Sequence, residues 1–284
     1  MKKIFLFLLL YTYSLFTSAG VVDTLKVHSD VMNRDIPVVV VRPSSTVAQS
    51  PAKGKKSKKA AMPEIAKCPV VYLLHGAYAN EYKWLEVKPT LPAIADEMQM
   101  IFVTPYALNS WYFDSPVNKD FMYETFITKE LVPWIDAHFP TLADRNHRAV
   151  TGLSMGGHGA LFLSSRHIDL FGAAASMSGG VDIRLFPLNW NIPDVLGEMA
   201  SNRKSWDEHS VMECVKQLKN GDVAIAFDCG ESDFFIEVNR ALHARLLSLG
   251  IDHDFITRPG GHTDQYWSNS LDYQLLFFKK FFNK

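Results

Sequence analysis

Cysteine is scarce, three residues in 284, which excludes a small fold held together by a disulfide framework. Cys68 and Cys229 each close an apolar run, where buried thiols are ordinary. One disulfide with one free thiol stays open, and spacing does not choose a pair among Cys68, Cys214 and Cys229. An excess of one charge is also missing. At a net charge of −1, nothing points to nucleic acid or an anionic membrane surface as a partner. There is no internal repeat, no phosphate-cradling glycine loop, and no pair of His or Cys at metal-ligand spacing. The "HTD" at 262–264 is too little for a metal site, so neither a metal nor an organic cofactor is expected.

Long hydrophobic runs are absent except at the start, "MKKIFLFLLLYTYSLFTSAGVV". Two lysines, an apolar stretch and the small residues Thr17, Ser18, Ala19 and Gly20 have the layout of a signal peptide over 1–19. The other reading is an uncleaved anchor, but Thr12 and Ser14 interrupt the run, which is short against the roughly 20 residues a span needs. Export to the periplasm or beyond, with no stable membrane insertion after cleavage, is the expectation. No cysteine follows the apolar stretch, so a lipid anchor there is not expected.

What is present is apolar residue in abundance. A hydrophobic fraction of 48% supplies a sizeable core and argues against disorder. "VVDTLKVHSDVM" (21–32) and "RDIPVVVVRP" (34–43) read as two strands joined by a turn at Asn33. The lysine-rich stretch 44–67 reads as a solvated loop inserted between strands, with an electrostatic tether as the alternative. From Cys68 on, apolar runs at 68–76, 100–106, 147–154, 171–179, 222–230 and 253–261 alternate with helical patterns. This order predicts an α/β fold with a mostly parallel sheet, helices on both faces and an antiparallel N-terminal edge. The segment 181–221 is too long for a crossover helix and reads either as a partial lid or as a surface elaboration.

Chemistry concentrates in "HRAVTGLSMGGHGALFL" (147–163). Gly152-Leu153-Ser154-Met155-Gly156 matches G-x-S-x-G with an apolar strand before it and an apolar helix after it, the context of a nucleophile elbow. A serine hydroxyl needs a base within hydrogen-bond reach. Among ten histidines, His262 in the loop "RPGGHTDQYW" has the placement for that base. His158 lies on the elbow helix, His253 begins a strand, and His167 and His243 fall in helical patterns. For the orienting acid, Asp233 lies just past a strand in "FDCGESDFF", with Asp228 in reserve and Glu231 third. The amides of Met155 and Ala77 are the expected oxyanion donors, with His75 bracing the loop that carries Ala77. "NSWYFDSP" (109–116) suits a substrate rim or a loop packing its own aromatics, with Trp111, Tyr112 and Tyr78 as rim candidates.

These blocks resemble the esterase D-type branch of the α/β-hydrolases, which includes tributyrin esterase, S-formylglutathione hydrolase, feruloyl and acetylxylan esterase modules, and mycolyltransferases. "VVYLLHGAYANEYKWL", "YETFITKELVPWIDAHF", "GLSMGGHGALFLSSRHIDLFGAAASMSG", "DCGESDFFIEVNRALHARL" and "PGGHTDQYW" follow the family's order from about residue 24 to the C-terminus. The resemblance implies one α/β-hydrolase domain over 20–284, Ser154 as nucleophile, Asp233 as acid, His262 as base, and Ala77 and Met155 as oxyanion donors. It also implies hydrolysis of short-chain or aromatic acyl esters, small or carried on carbohydrate. An acyltransferase to a sugar hydroxyl and a catalytically silent carbohydrate-binding homologue are the alternatives. The 44–67 insertion departs from the family pattern, and export counts against a glutathione-thioester hydrolase.

Overall fold

The computed structural model describes residues 20–45 and 66–284. The expected leader over 1–19 and most of the lysine-rich insertion over 44–67 lie outside the described residues. Two antiparallel strands open the fold, β1 (Val21–Ser29) and β2 (Arg34–Arg42), joined by a turn in which Asn33 takes φ 47°. Asparagine tolerates that left-handed conformation better than bulkier residues do. Six further strands follow: β3 (Val70–Leu74), β4 (Ile101–Pro105), β5 (Arg148–Gly152), β6 (Ala173–Met177), β7 (Ala224–Gly230) and β8 (His253–Arg258). They form one eight-stranded sheet in the order β1-β2-β4-β3-β5-β6-β7-β8. The β1–β2 and β2–β4 pairs are antiparallel and every later pair is parallel, as the sequence pattern predicts.

Every residue of β3, β4, β5 and β6 is buried, which is why these strands read as unbroken apolar runs. Side chains of β3 alternate between two cores, Val70, Tyr72 and Leu74 in one and Val71 and Leu73 in the other. The helices are α1 (Lys83–Val87), α2 (Leu91–Met98), α3 (Tyr123–Thr125), α4 (Val132–His138) and α5 (Met155–Arg166), then α6 (Ile192–Leu196), α7 (Arg203–Glu208), α8 (Val211–Cys214), α9 (Ile236–Ser248) and α10 (Asp264–Phe282). The first core takes Phe162 of α5 and Leu242 of α9, and the second takes Leu91 of α2 and Leu271 and Phe278 of α10. Each such side chain contributes roughly 1.5–3 kcal/mol on burial.

Two helices differ from the sequence pattern. The run "FMYETFITKELVPWIDAHF" is α3 and α4 with a π turn, Phe126–Leu131, between them. Pro133 has no N–H to return to the preceding turn, and the wider π turn precedes it. The closing helix begins well before "DYQLLFFKKFF", at Asp264, because Thr263 caps it by accepting the Tyr266 amide at 3.3 Å.

The segment 181–221 holds α6, α7 and α8. Its Ile183, Ile192, Val195, Leu196, Trp206 and Val211 are buried in the same core as α5. Arg184 ties it together, reaching Asp182 at 2.7 Å, Asp207 at 2.9 Å and Glu213 at 3.0 Å. The three cysteines are buried and unpaired.

Candidate active site

The parallel register leaves Leu74 of β3 level with Gly152 of β5, Met177 of β6 with Asp228 of β7, and Gly230 of β7 with Arg258 of β8. Loops leaving β3, β5, β7 and β8 therefore meet at the carboxyl edge of the sheet, where such folds place ligands. Between β5 and α5 the chain reverses within one residue. Ser154 takes φ 56° and ψ −117°, a conformation costing a non-glycine residue about 1–3 kcal/mol. A Cβ on Gly156 would lie 2.2 Å from the Leu74 carbonyl oxygen, and one on Gly152 would lie 2.4 Å from Gly156 carbonyl carbon. Only glycine lets the two backbones cross that closely. The Ser154 amide donates to the Met177 carbonyl at 2.9 Å and fixes the turn to β6.

Asp233 and His262 arrive from the two loops beyond β7 and β8, which continue the strands' pairing. Glu231 amide donates to Arg258 carbonyl at 2.9 Å and Ser232 amide to Gly260 carbonyl at 2.8 Å. The buried Asp233 carboxylate accepts from the Phe235 amide at 2.9 Å and stands 2.9 and 3.1 Å from His262 Nδ1. An ionised carboxylate only accepts, so Nδ1 carries the proton. His262 Nε2 is then left as an acceptor, 2.9 Å from Ser154 Oγ. The fold brings Ser154, His262 and Asp233 into one hydrogen-bonded chain.

Asp228 does not join it. Its carboxylate is buried on the α10 side, accepting from Ser270 Oγ and from Gln274 Nε2 at 2.8 Å, and burial raises its pKa. Glu231 is exposed and pairs with Arg240.

The loop after β3 lies against the elbow, since a Cβ on Gly76 would stand 3.3 Å from Ser154 Cβ. Neither the Ala77 nor the Met155 amide has a backbone acceptor among the described residues, and Met155 opens α5, where helix amides face outward. His75 is built into this loop. The Ala107 amide donates to its Nε2 at 2.9 Å, so Nδ1 is the protonated nitrogen and donates to the Gly76 carbonyl at 2.7 Å. Burial lowers its pKa to about 4. His158 is equally buried, its ring nitrogens 2.9 Å from the carbonyls of Gly180 and His209, and burial outweighs those acceptors to bring its pKa to about 4.

Two of the three rim candidates are not on a rim. Trp111 and Tyr112 are 1% and 0% exposed, because both take left-handed φ, 56° and 63°, and turn into the core. Tyr112 packs on Gly159 of α5 and donates its hydroxyl to the His75 carbonyl at 3.0 Å. Trp111 donates Nε1 to the Trp190 carbonyl at 3.2 Å and meets His158 edge-on. Tyr78, at 72% exposure, is the candidate left at the surface, its amide donating to Asn109 Oδ1 at 2.7 Å. The aromatic facing solvent beside His262 comes from elsewhere. Phe234 is 55% exposed with its ring 4.3 Å from His262, and the partly buried Trp190 packs on Phe234 at 5.8 Å. Phe234 directly follows Asp233, a signal the sequence did offer; nothing in it paired Trp190 with Phe234.

Among the described residues, no group of three or more His, Cys, Asp or Glu side chains is placed to hold a metal ion, and no helix is long and apolar enough to cross a membrane. A serine elbow at the carboxyl edge of a mostly parallel sheet is the organisation of the α/β-hydrolases. A ferulic acid esterase of known structure shares the fold at a TM-score of 0.75 and 30% identity, over 93% of this chain and 99% of that one. The chain belongs to the Esterase family, whose model, described as "Putative esterase", matches residues 29–278. Similar curated proteins include an esterase of Mycobacterium tuberculosis, 28% identical over 225 residues, and an acetyl esterase of Caldicellulosiruptor saccharolyticus, 27% identical over 213 residues. The first match covers 68% of this chain but only 48% of the mycobacterial protein, so the chain spans about half that relative's length; the second covers 71% and 79%.

Proposed function

We propose that the chain is an exported serine carboxylesterase acting through an acyl-enzyme on Ser154. The observation that carries this reading is the hydrogen-bonded chain from Ser154 Oγ through His262 to Asp233. Ser154 Oγ attacks the ester carbonyl carbon as its proton passes to His262 Nε2. The Ala77 and Met155 amides donate to the oxyanion that forms. Asp233 holds the imidazole by Nδ1 and stabilises its cationic form. The carbon–oxygen bond to the alcohol then breaks, and Nε2 returns the proton to that oxygen. Water enters, gives its proton to Nε2, and releases the acid, and the proton goes back to Ser154.

Short-chain or aromatic acyl esters on carbohydrate are the proposed substrates. The ferulic acid esterase and acetyl esterase similarities support this choice. The leader pattern over 1–19 supports export, and a secreted form beginning near Gly20 is expected by mass spectrometry. Fluorophosphonate labelling should place one adduct on Ser154. Acetyl, butyryl and feruloyl esters should be hydrolysed by the wild type and at least about 10⁴-fold more slowly by Ser154→Ala. An unlabelled Ser154 in folded protein, or an equally active variant, would overturn the proposal. Running the panel with a sugar acceptor separates hydrolysis from acyl transfer by its products.

A further inference from the structure

We propose that Asn109 is a positioning residue for the oxyanion hole, and that Asp194 sets its orientation through Asn191. The proposal rests on the esterase reading, in which the Ala77 amide donates to the developing oxyanion. Asn109 acts on that amide through the backbone beside it. Its Oδ1 accepts the Tyr78 amide at 2.7 Å, and its Nδ2 donates to Asn191 Oδ1 at 3.0 Å. Asn191 Nδ2 in turn donates to Asp194 Oδ2 at 2.7 Å. Both ends of this chain fix its direction, because a backbone N–H only donates and a carboxylate only accepts. Neither side-chain amide can turn over without setting two acceptors or two donors against each other.

The turn they hold is strained. The Ala79 amide donates to the Gly76 carbonyl at 3.4 Å, closing a four-residue turn with Ala77 and Tyr78 at its centre. Tyr78 takes φ 62° while Ala77 stays outside the left-handed region, the sign pattern of a type II turn. Glycine or asparagine suits that second central position, and a tyrosine there is an outlier. Rotating the Ala77–Tyr78 peptide over would relieve Tyr78 and give the commoner type I turn. The same rotation would aim the Ala77 carbonyl at Asn109 Oδ1 in place of the Tyr78 N–H, acceptor against acceptor. Asn109 could meet that carbonyl only by turning its amide over, which Asn191 and Asp194 oppose. A carboxylate on the 181–221 segment therefore selects the strained turn. The peptide plane that carries the Ala77 N–H lies between two held neighbours. Before it, the His75 carbonyl accepts the Tyr112 hydroxyl at 3.0 Å, and after it Asn109 holds the Tyr78 amide. Losing the second grip frees that plane to rock, and the N–H leaves the direction in which it meets the oxyanion.

The test is the hydrolysis of p-nitrophenyl acetate by wild type, Asn109→Ala, Asn109→Asp and Asp194→Lys. Asn109→Ala should lower kcat about tenfold and leave KM within about twofold, because the lost donation belongs to the tetrahedral intermediates and not to the bound ester. Asn109→Asp keeps an acceptor for the Tyr78 amide and should restore kcat to within about threefold of wild type. Asp194→Lys, at an exposed position, puts a donor where the chain ends on an acceptor. It favours the reversed chain and should lower kcat at least about threefold. A kcat of Asn109→Ala within about twofold of wild type, or a loss carried by KM alone, would overturn the positioning role. So would an Asn109→Asp as slow as Asn109→Ala, and an unchanged Asp194→Lys would overturn the part given to Asp194. If the wild type hydrolyses neither this ester nor the acetyl, butyryl and feruloyl panel, the esterase reading itself fails; hydrolysis that Asn109→Ala leaves intact defeats the positioning role alone.

Discussion

Lowering the pH should draw stability out of this protein through two imidazoles that take no part in the proposed chemistry. His75 and His158 are buried, and burial lowers each pKa from the ordinary 6.5 to about 4. The unfolded chain therefore binds a proton on each below about pH 6.5, while the folded chain refuses it until about pH 4. Their stabilisation is complete above 6.5 and is lost as the pH falls toward 4. A gap of about 2.5 units corresponds to about 3.4 kcal/mol for each residue, and about 7 for the pair. That is a large part of the 5–15 kcal/mol typical of a folded domain. Partly buried His209 shifts in the same direction, and Asp228, raised by burial, works in the opposite one. The contribution of each imidazole is isolated by urea unfolding between pH 5 and 6 on wild type, His75→Gln and His158→Phe. Each variant should lose about one proton, or about 1.3 kcal/mol per pH unit, from the slope of stability against pH. A packing defect alone would displace the curve and leave its slope intact. Equal slopes in all three proteins would refute the reasoning.

Two further substitutions probe the scaffold under the site. Tyr112→Phe removes the donor to the His75 carbonyl and should cost about 1–2 kcal/mol in urea unfolding, with a fall in kcat because the Ala77 loop loses its brace. No change in either would remove Tyr112 from that role. Gly156→Ala puts a methyl group 2.2 Å from the Leu74 carbonyl and should cost about 3 kcal/mol or more, lowering the thermal midpoint by roughly 6–12 °C. A melt within about 2 °C of wild type would mean the crossing is looser than the structure has it.

How far the site could be read in advance follows from which contacts are local. The strands were legible because burial on both faces makes them continuous apolar runs, as at Val70–Leu74. The elbow was legible because its glycines and serine fall within five residues between such a strand and a helix. Asp233 and His262 could be placed because both lie in loops just past strand ends, at the edge where Ser154 emerges. Side-chain direction in loops was not legible. Trp111 and Tyr112 turn inward against partners as distant as Gly159 and Trp190, and no short window of sequence holds that information. The start of α10 was hidden in the same way, because polar Ser268, Asn269 and Ser270 weaken its apolar pattern while the cap at Thr263 sits against the glycine loop.

The pairing of the loops beyond β7 and β8 makes the outermost strand answerable for the proposed base. β8 has a single neighbour in the sheet, and His262 hangs from its end, while Ser154 leaves a strand enclosed on both sides. Edge elements open at lower free energy than the strands they cover. Fraying of β8 would carry the His262 imidazole away from Ser154 while β5 stays enclosed, so the proposed chemistry depends on the margin of the sheet. In the proposed mechanism, the hydroxyl would outlast the group that activates it.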